Sequence, residues 1–535
     1  PGAALMGGVS GTASSGMQWF DRFLDRLPGL RFDGSTTASV NGEVALSLPN
    51  PNTRGTAFVD DFDAAAALPV SLLSSEWVQG SVPASGEGGL GVLPPVTDAA
   101  SAAPLVWQHS WVVESGVGDS VGVHEGFFPR QEIDREIRVA GSEIREPGLL
   151  LSFGSGGVSE PSWRSLTTSL SSTGMDLTKT DFLEFYAAGG EGIALVVDLG
   201  AVSEDALFLD ALGNTNGVQA QTGQPWGLGL LDQEADPRLG EIWSSAQDQL
   251  GVWDESCLAE PGRIYRRGDP RAICTRGNGR QDSEDLDGDG NLDVSERHLR
   301  YVVRLDGTSP FLARTKQETG TSFELYRIPI RGPDAVEVGG AISDADLRAV
   351  KHLRIAVAGD RAQSISLARM RLVGSRWIKR SGNGVLYGIG GDTLTGFGRL
   401  EVGSVSRVTE GDIYASPPGV LEELVDPTSA FAGQGIEFNE KSLGLTFDAV
   451  PAGGRAEVYH RFPQRPRNFL TYRQARMWVV PRSGDFGEDR ASYFFLKVGT
   501  DAENFYLYRT RLNAPSNPSG VTPADWLPEV VVDFE

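Results

Sequence analysis

Residues 285–296 read Asp285-Leu286-Asp287-Gly288-Asp289-Gly290-Asn291-Leu292-Asp293-Val294-Ser295-Glu296. They fit the calcium-loop pattern D-x-D-x-D-G-x₅-E. Ca²⁺ is a hard cation that takes several oxygen ligands. The spacing assigns carboxylates to Asp285, Asp287 and Asp289, a backbone carbonyl to Asn291, a water-mediated contact to Asp293 and a bidentate carboxylate to Glu296. Gly290 permits the sharp turn, and Leu292 is expected to point into a core. The competing reading is a solvated acidic turn. Carboxylates this close repel one another, and a cation relieves that repulsion directly. Arg276-Gly277-Asn278-Gly279-Arg280 precedes the loop where a sensor would have an amphipathic helix. An isolated structural loop follows, with a weak affinity of ~10⁻⁴–10⁻³ M.

Cys257 and Cys274 are the only cysteines and fall in one segment ahead of the loop. A disulfide between them would restrict the unfolded chain by ~3 kcal/mol and imply an oxidising compartment. The alternative is a pair of free buried thiols.

Catalytic constellations are scarce. His109, His124, His298, His352 and His460 are scattered without metal-ligand spacing, and no G-x-S-x-G elbow is present. Asp60, Asp61 and Asp63 surround Phe62 and offer the paired carboxylates of a glycosidase, although a turn or cation site is the simpler reading. Gly86-Glu87-Gly88-Gly89-Leu90-Gly91 matches G-x-G-x-x-G formally but lacks the strand–turn–helix context of a dinucleotide site. Trp77, Trp163 and Trp478 are candidates for stacking on sugars, or for core packing. No enzyme activity is expected.

The elements that must position these residues are mostly strands. Across 535 residues, 67 Gly and 30 Pro punctuate short alternating runs. Ile193, Leu195, Val197 and Leu199 form one such face. Leu353, Ile355 and Val357 form another, as do Ala475, Met477 and Val479. Leu183–Gly189 resembles Leu353–Gly359 in a weak internal repeat, with a looser third copy over 469–480, which suggests tandem sandwich modules. Residues 79–104, rich in Gly, Ser, Ala and Pro, read as a long loop. Near the start, Trp19, Phe20, Phe23, Leu24 and Leu27 share a helical face that Pro28 ends, as in a short packing helix. Over 36–48, Ala38, Val40, Val44, Leu46 and Leu48 alternate with polar residues. That period fits a half-buried strand, or one between lipid and water.

With 71 Asp and Glu against 47 Lys and Arg, the net charge of −24 argues against nucleic acid as a partner. No apolar run approaches the ~18 residues of a membrane helix, which leaves membrane β-barrels open. The chain starts at Pro1 without a leader-like segment, so an internal piece of a longer chain is expected.

Several segments, in order, are similar to one family. Phe23-Leu24-Asp25-Arg26-Leu27-Pro28 is followed by Val40-Asn41-Gly42-Glu43-Val44-Ala45 and Gly55-Thr56-Ala57-Phe58-Val59-Asp60-Asp61-Phe62, with Asp63 where the family usually has Glu. Asp198 to Asp205, Asn278 to Asp287, Leu372 to Trp377, Tyr414 to Val420 and Glu440 to Leu445 continue the match. The chain resembles the SprA/Sov family, cell-surface gliding-motility proteins that form the outer-membrane translocon of type IX secretion. Residues 79–148 match less well.

The resemblance implies a large outer-membrane β-barrel chain. Its partners would be secreted cargo with a C-terminal signal, together with shuttle and plug proteins of the same system. The expected fold is mainly β, with tandem antiparallel, jelly-roll-like sandwich modules inserted in that barrel chain and one short N-terminal amphipathic helix. Residues 1–50 would supply the helix and a candidate barrel strand. Residues 51–245, 246–385 and 386–535 would form three sandwich modules facing the cell surface or periplasm, the second carrying the calcium loop. The competing readings are a secreted, calcium-stabilised carbohydrate-binding protein or glycosidase, and a surface adhesin.

Overall fold

The computed structural model describes residues 3–24, 37–50, 65–81, 162–206 and 283–380 throughout, and stretches of the chain between and after them. The protein is mainly β, and no sheet among the described residues closes into a barrel. Two compact units emerge. One comprises Pro1–Asp61, Arg467–Arg476 and Val531–Glu535, the other Phe62–Pro466 and Met477–Val530.

In the smaller unit, β1 (Ala3–Gly16) pairs antiparallel with β2 (Thr37–Asn50), from Ala3 opposite Asn50 to Gly16 opposite Thr37. Directly opposed positions share a face. One face of the ladder therefore takes the positions Leu5 with Leu48, Gly7 with Leu46, Val9 with Val44 and Ala13 with Val40. The other takes Met6 with Ser47, Ser10 with Glu43, Thr12 with Asn41 and Ser14 with Ser39. The alternation thus lies on a strand from Thr37, and its partner follows the partition over Val9–Ser14, while Ala4, Met6 and Gly8 fall on the polar face.

Helix α1 (Gln18–Leu24) lies between these strands in the chain. It departs from the expected packing helix, because Trp19 is 66% and Phe23 56% exposed. The rings meet one another instead: Trp19 edge-on to Phe20, and Phe20 stacked on Phe23. Leu27 and Pro28 lie outside the described residues.

The larger unit is built on two sheets. The first runs in the order Leu312–Arg314, Glu324–Pro329, Thr180–Gly189, Gln363–Ser375, Arg145–Phe153, Leu105–Gln108. The second runs Val336–Val338, Arg297–Arg304, Ala194–Ala201, His352–Gly359, Ser162–Ser169, Val78–Gln79. Leu183 and Phe185 of the first sheet and Leu195, Val197, Leu353 and Ile355 of the second belong to one buried cluster. Two of the alternating faces read from sequence, Ile193 to Leu199 and Leu353 to Val357, are among its walls; Ala475, Met477 and Val479 are not part of that cluster. Trp77 and Trp163 are buried at 2% exposure and so are not open to stack on a sugar; Trp478 is 38% exposed.

Strands from 65–201 and from 297–375 alternate within these two sheets. The Ala194–Ala201 strand, for example, sits between Arg297–Arg304 and His352–Gly359. The segments 51–245 and 246–385, expected to be separate modules, therefore share their sheets. The internal repeat has the same explanation. Its two copies are strands of opposite sheets that line one core, not the starts of tandem modules. Beyond residue 385 the described strands form small ribbons, such as Arg399–Ser406 with Lys441–Asp448 and Tyr493–Gly499 with Phe505–Arg511.

The second sheet has one property that matters for the site. Along His352–Gly359 every residue is buried except Gly359, which is half-buried. A strand buried on both faces needs a cover on its outer side. Ser81 and Glu296 accept hydrogen bonds from Arg354 on that side, and segment 203–206 bonds in turn to residues 284–296.

Candidate metal centre

The outer face of the second sheet carries a buried ionic network. Register places Asp198 between Arg300 on one neighbouring strand and Arg354 on the other. Arg300 donates from Nε to Asp198 Oδ1 at 2.6 Å and from Nη2 to Oδ2 at 3.0 Å. Arg354 donates from Nε and Nη2 to Asp198 Oδ2 at 2.9 and 2.7 Å. Burial pushes the Asp198 carboxyl up, but Arg354, His298 and Arg300 outweigh it and hold it far below the usual carboxylate range.

Glu296 closes this network. It accepts from Arg354 Nη1 and Nη2 at 2.7 and 2.8 Å, and its Oε2 lies 3.1 Å from His298 Nδ1. Burial raises its carboxyl, yet the His298 hydrogen bond and the Arg354 charge prevail and lower it to about 2. The same partners work on His298. Burial favours its neutral form, and hydrogen bonds to Asp198 and Glu296 overcome that and raise its pKa.

The acidic loop is stitched to the end of the Ala194–Ala201 strand. Ser203 N donates to Glu296 Oε1 at 3.0 Å, and Ala206 N to Glu284 Oε1 at 2.9 Å. In the other direction, Glu204 accepts from Leu286 N on Oε1 and from Asp293 N on Oε2, both at 2.9 Å. Within the loop, Asp285 accepts from the amides of Gly288, Asp289 and Gly290 at 2.7, 3.1 and 2.8 Å. Gly290 has φ +79°, which supports the turn expected of it.

These bonds decide which expected ligands meet. Glu204, Asp285 and Asp287 each present an oxygen, all within 4.8 Å of one another. Three carboxylates at that separation are the hard oxygen donors a divalent cation takes. Lys351 already acts as a tethered cation there, with Nζ 2.5 Å from Asp287 Oδ2 and 3.5 Å from Asp293 Oδ2. Its hydrogen bond lowers the Asp287 pKa, and Asp287 in turn raises that of Lys351. Burial raises Glu204 to about 7. The Asp293 and Leu286 amides oppose that shift, and the charges of Asp287 and Asp285 add to it.

Other expected ligands stand apart from this group. Asp289 and Asn291 are exposed, with Asp289 Oδ1 accepting from Asn291 N at 2.7 Å. Asp293 is turned toward Lys351. Glu296, expected to be the bidentate ligand, is held by Arg354 and His298 instead. Leu292 is half-buried and outside the core cluster. Cys257, Cys274, Asp60, Asp61, Asp63 and the Gly86–Gly91 run lie outside the described residues.

Glu204 was missed because the loop pattern counts only its own positions. Its one sequence signal was its place in the run Asp198 to Asp205. His352, named above among the scattered histidines, neighbours this acidic group. It is buried next to Lys351, neither ring nitrogen has a partner among the described residues, and burial with the Lys351 charge lowers its pKa to about 4.

The chain matches no family model and no curated protein.

Proposed function

We propose that the chain is a non-catalytic structural part of a protein-conducting translocon in the outer membrane. In this reading the two sheets of the larger unit form a jelly-roll-like β-sandwich, and β1 and β2 are membrane strands. The observation that carries it is the partition of the β1–β2 ladder. Its apolar face has no charged position, and Glu43, the one charged residue in either strand, falls on the opposite face. A membrane β-strand needs that division between lipid and a watery interior. Fourteen residues per strand at about 3.3 Å each extend ~46 Å. At a tilt of about 45° they span ~33 Å, close to a hydrocarbon core of about 30 Å.

The acidic site serves this role as a brace. Ca²⁺ would be held by the carboxylates of Glu204, Asp285 and Asp287, with its remaining positions taken by loop oxygens and water. The cation would pin the 203–206 segment to the loop and stiffen the sandwich. The proposed partners are cargo proteins with a C-terminal signal and the shuttle and plug components that receive or block them. The resemblance to SprA/Sov segments supports that assignment.

In the producing cell, removal of residues 56–380 in frame is expected to leave signal-bearing cargo in the periplasm. Normal export by that strain would contradict the proposal.

A further inference from the structure

A small cavity lies where the edge of the second sheet meets the acidic segments. Val78, Gln79, Ser81 and Thr167 line it from the sheet side, and Glu204 and Glu284 are among the residues that line it from the other. Its free volume for the centre of a water molecule is about 10 Å³, which is the room one water needs. Two side chains on its wall are more than nine-tenths buried and lack a hydrogen-bond partner among the described residues. They are Gln79, through Nε2, and Thr167, through Oγ1. Leaving buried polar groups unpaired is costly, so such groups in a polar cavity of this size call for a ligand.

We propose that this cavity is a binding site for one structural water, which joins Gln79 and Thr167 of the sheet edge to the carboxylates of Glu204 and Glu284. The chemistry selects water over a cation. The Gln79 amide nitrogen is a donor and repels a metal ion, whereas water accepts from it. Water also exchanges a hydrogen bond with the Thr167 hydroxyl and donates to carboxylates. A carboxylate offers about four lone-pair sites, and Glu204 accepts one amide bond on each oxygen.

The backbone is shaped for this seat. Gly80 N donates to Ser165 O at 3.0 Å, and Ser165 Oγ to Ser81 O at 2.7 Å. A Cβ on Gly80 would lie 2.7 Å from Thr167 Oγ1. Glycine therefore lets the 79–81 segment press against the strand and shut the cavity from that side. The water extends the stitching of the acidic segments beyond Glu296 and Arg354 to the outermost strand of the sheet.

Thr167→Val tests the proposal, because it keeps the shape and removes the hydroxyl. In a dry cavity the substitution relieves an unsatisfied buried group and raises Tm. With the water present it removes one of its partners, and Tm is expected to fall by about 1–2 °C. A rise in Tm would overturn the proposal. A crystal structure of the whole chain that resolves ordered solvent gives a second reading independent of the variant. A single density peak within hydrogen-bond distance of Gln79 Nε2 and Thr167 Oγ1 is expected. An empty cavity, or a peak with the anomalous signal of a metal ion, would refute it.

Discussion

Glu204 and Asp293 exchange two hydrogen bonds: the Asp293 amide donates to Glu204 Oε2 at 2.9 Å, and the Glu204 amide donates to the Asp293 carbonyl at 2.7 Å. A residue at the end of a core strand is thereby locked to a loop far along the chain, with its carboxylate beside Asp285 and Asp287. A cation held between these carboxylates would depend on this outside residue.

That dependence is measurable by calorimetry. Glu204→Gln is expected to weaken Ca²⁺ binding at least tenfold, because it removes a charge from a three-carboxylate site. Glu296→Gln is expected to change the affinity less than threefold, since Glu296 faces Arg354 and His298. The reverse ranking would restore Glu296 as the ligand.

Lys351 would compete with a bound cation for Asp287. Replacement by Met removes the tethered ammonium, so Ca²⁺ should bind about ten times more tightly. Weaker binding to Lys351→Met would show that the lysine supports the site.

The buried network should be costly to break at one partner. Arg354→Leu leaves Glu296 without its bidentate partner and Asp198 with only Arg300 and His298. A loss of about 3–5 kcal/mol is expected in denaturant unfolding. A loss below about 1 kcal/mol would mean that water compensates the exposed charges.

Two carboxylates give opposite pH dependences. Glu296 is lowered from 4.5 to about 2 in the folded state. Its contribution, on the order of 3 kcal/mol, is present above pH 4.5 and is lost as pH falls toward 2. Glu204 is raised from 4.5 to about 7, so in metal-free protein its contribution is full below pH 4.5 and is lost as pH rises through 7. Glu204→Gln should therefore gain stability relative to the parent between pH 4.5 and 7 without Ca²⁺. Comparison with the parent matters because His352, lowered to about 4, has the opposite dependence over much of that window. A constant difference across the window would argue against a raised Glu204.

Period-two faces such as Leu195, Val197 and Leu199 were legible because each strand alternates over its own length. Which strands pair was not, since the partners of Ala194–Ala201 come from residues 297–304 and 352–359. Counting twelve positions marked Asp285 and Asp287, which the fold brings beside Glu204, and the turn at Gly290. It did not foresee that Glu296 faces Arg354, a partner 58 residues away that pattern counting does not see. Glu204 was hidden for the same reason. Asp198 and Arg354, which pair beneath the acidic loop, stand 156 residues apart, so no local pattern joins them.

The central claim is that β1 and β2 sit in a membrane, and placing one charge on each face of β2 tests it most directly. Val44→Arg falls on the apolar face and Asn41→Arg on the polar one. An arginine facing lipid near the bilayer midplane costs ~2–4 kcal/mol, whereas one facing a watery interior is tolerated. Fractionation of cells producing each variant should show Val44→Arg depleted from the outer membrane and Asn41→Arg retained. Equal retention of both, or loss of both alike, would contradict the account.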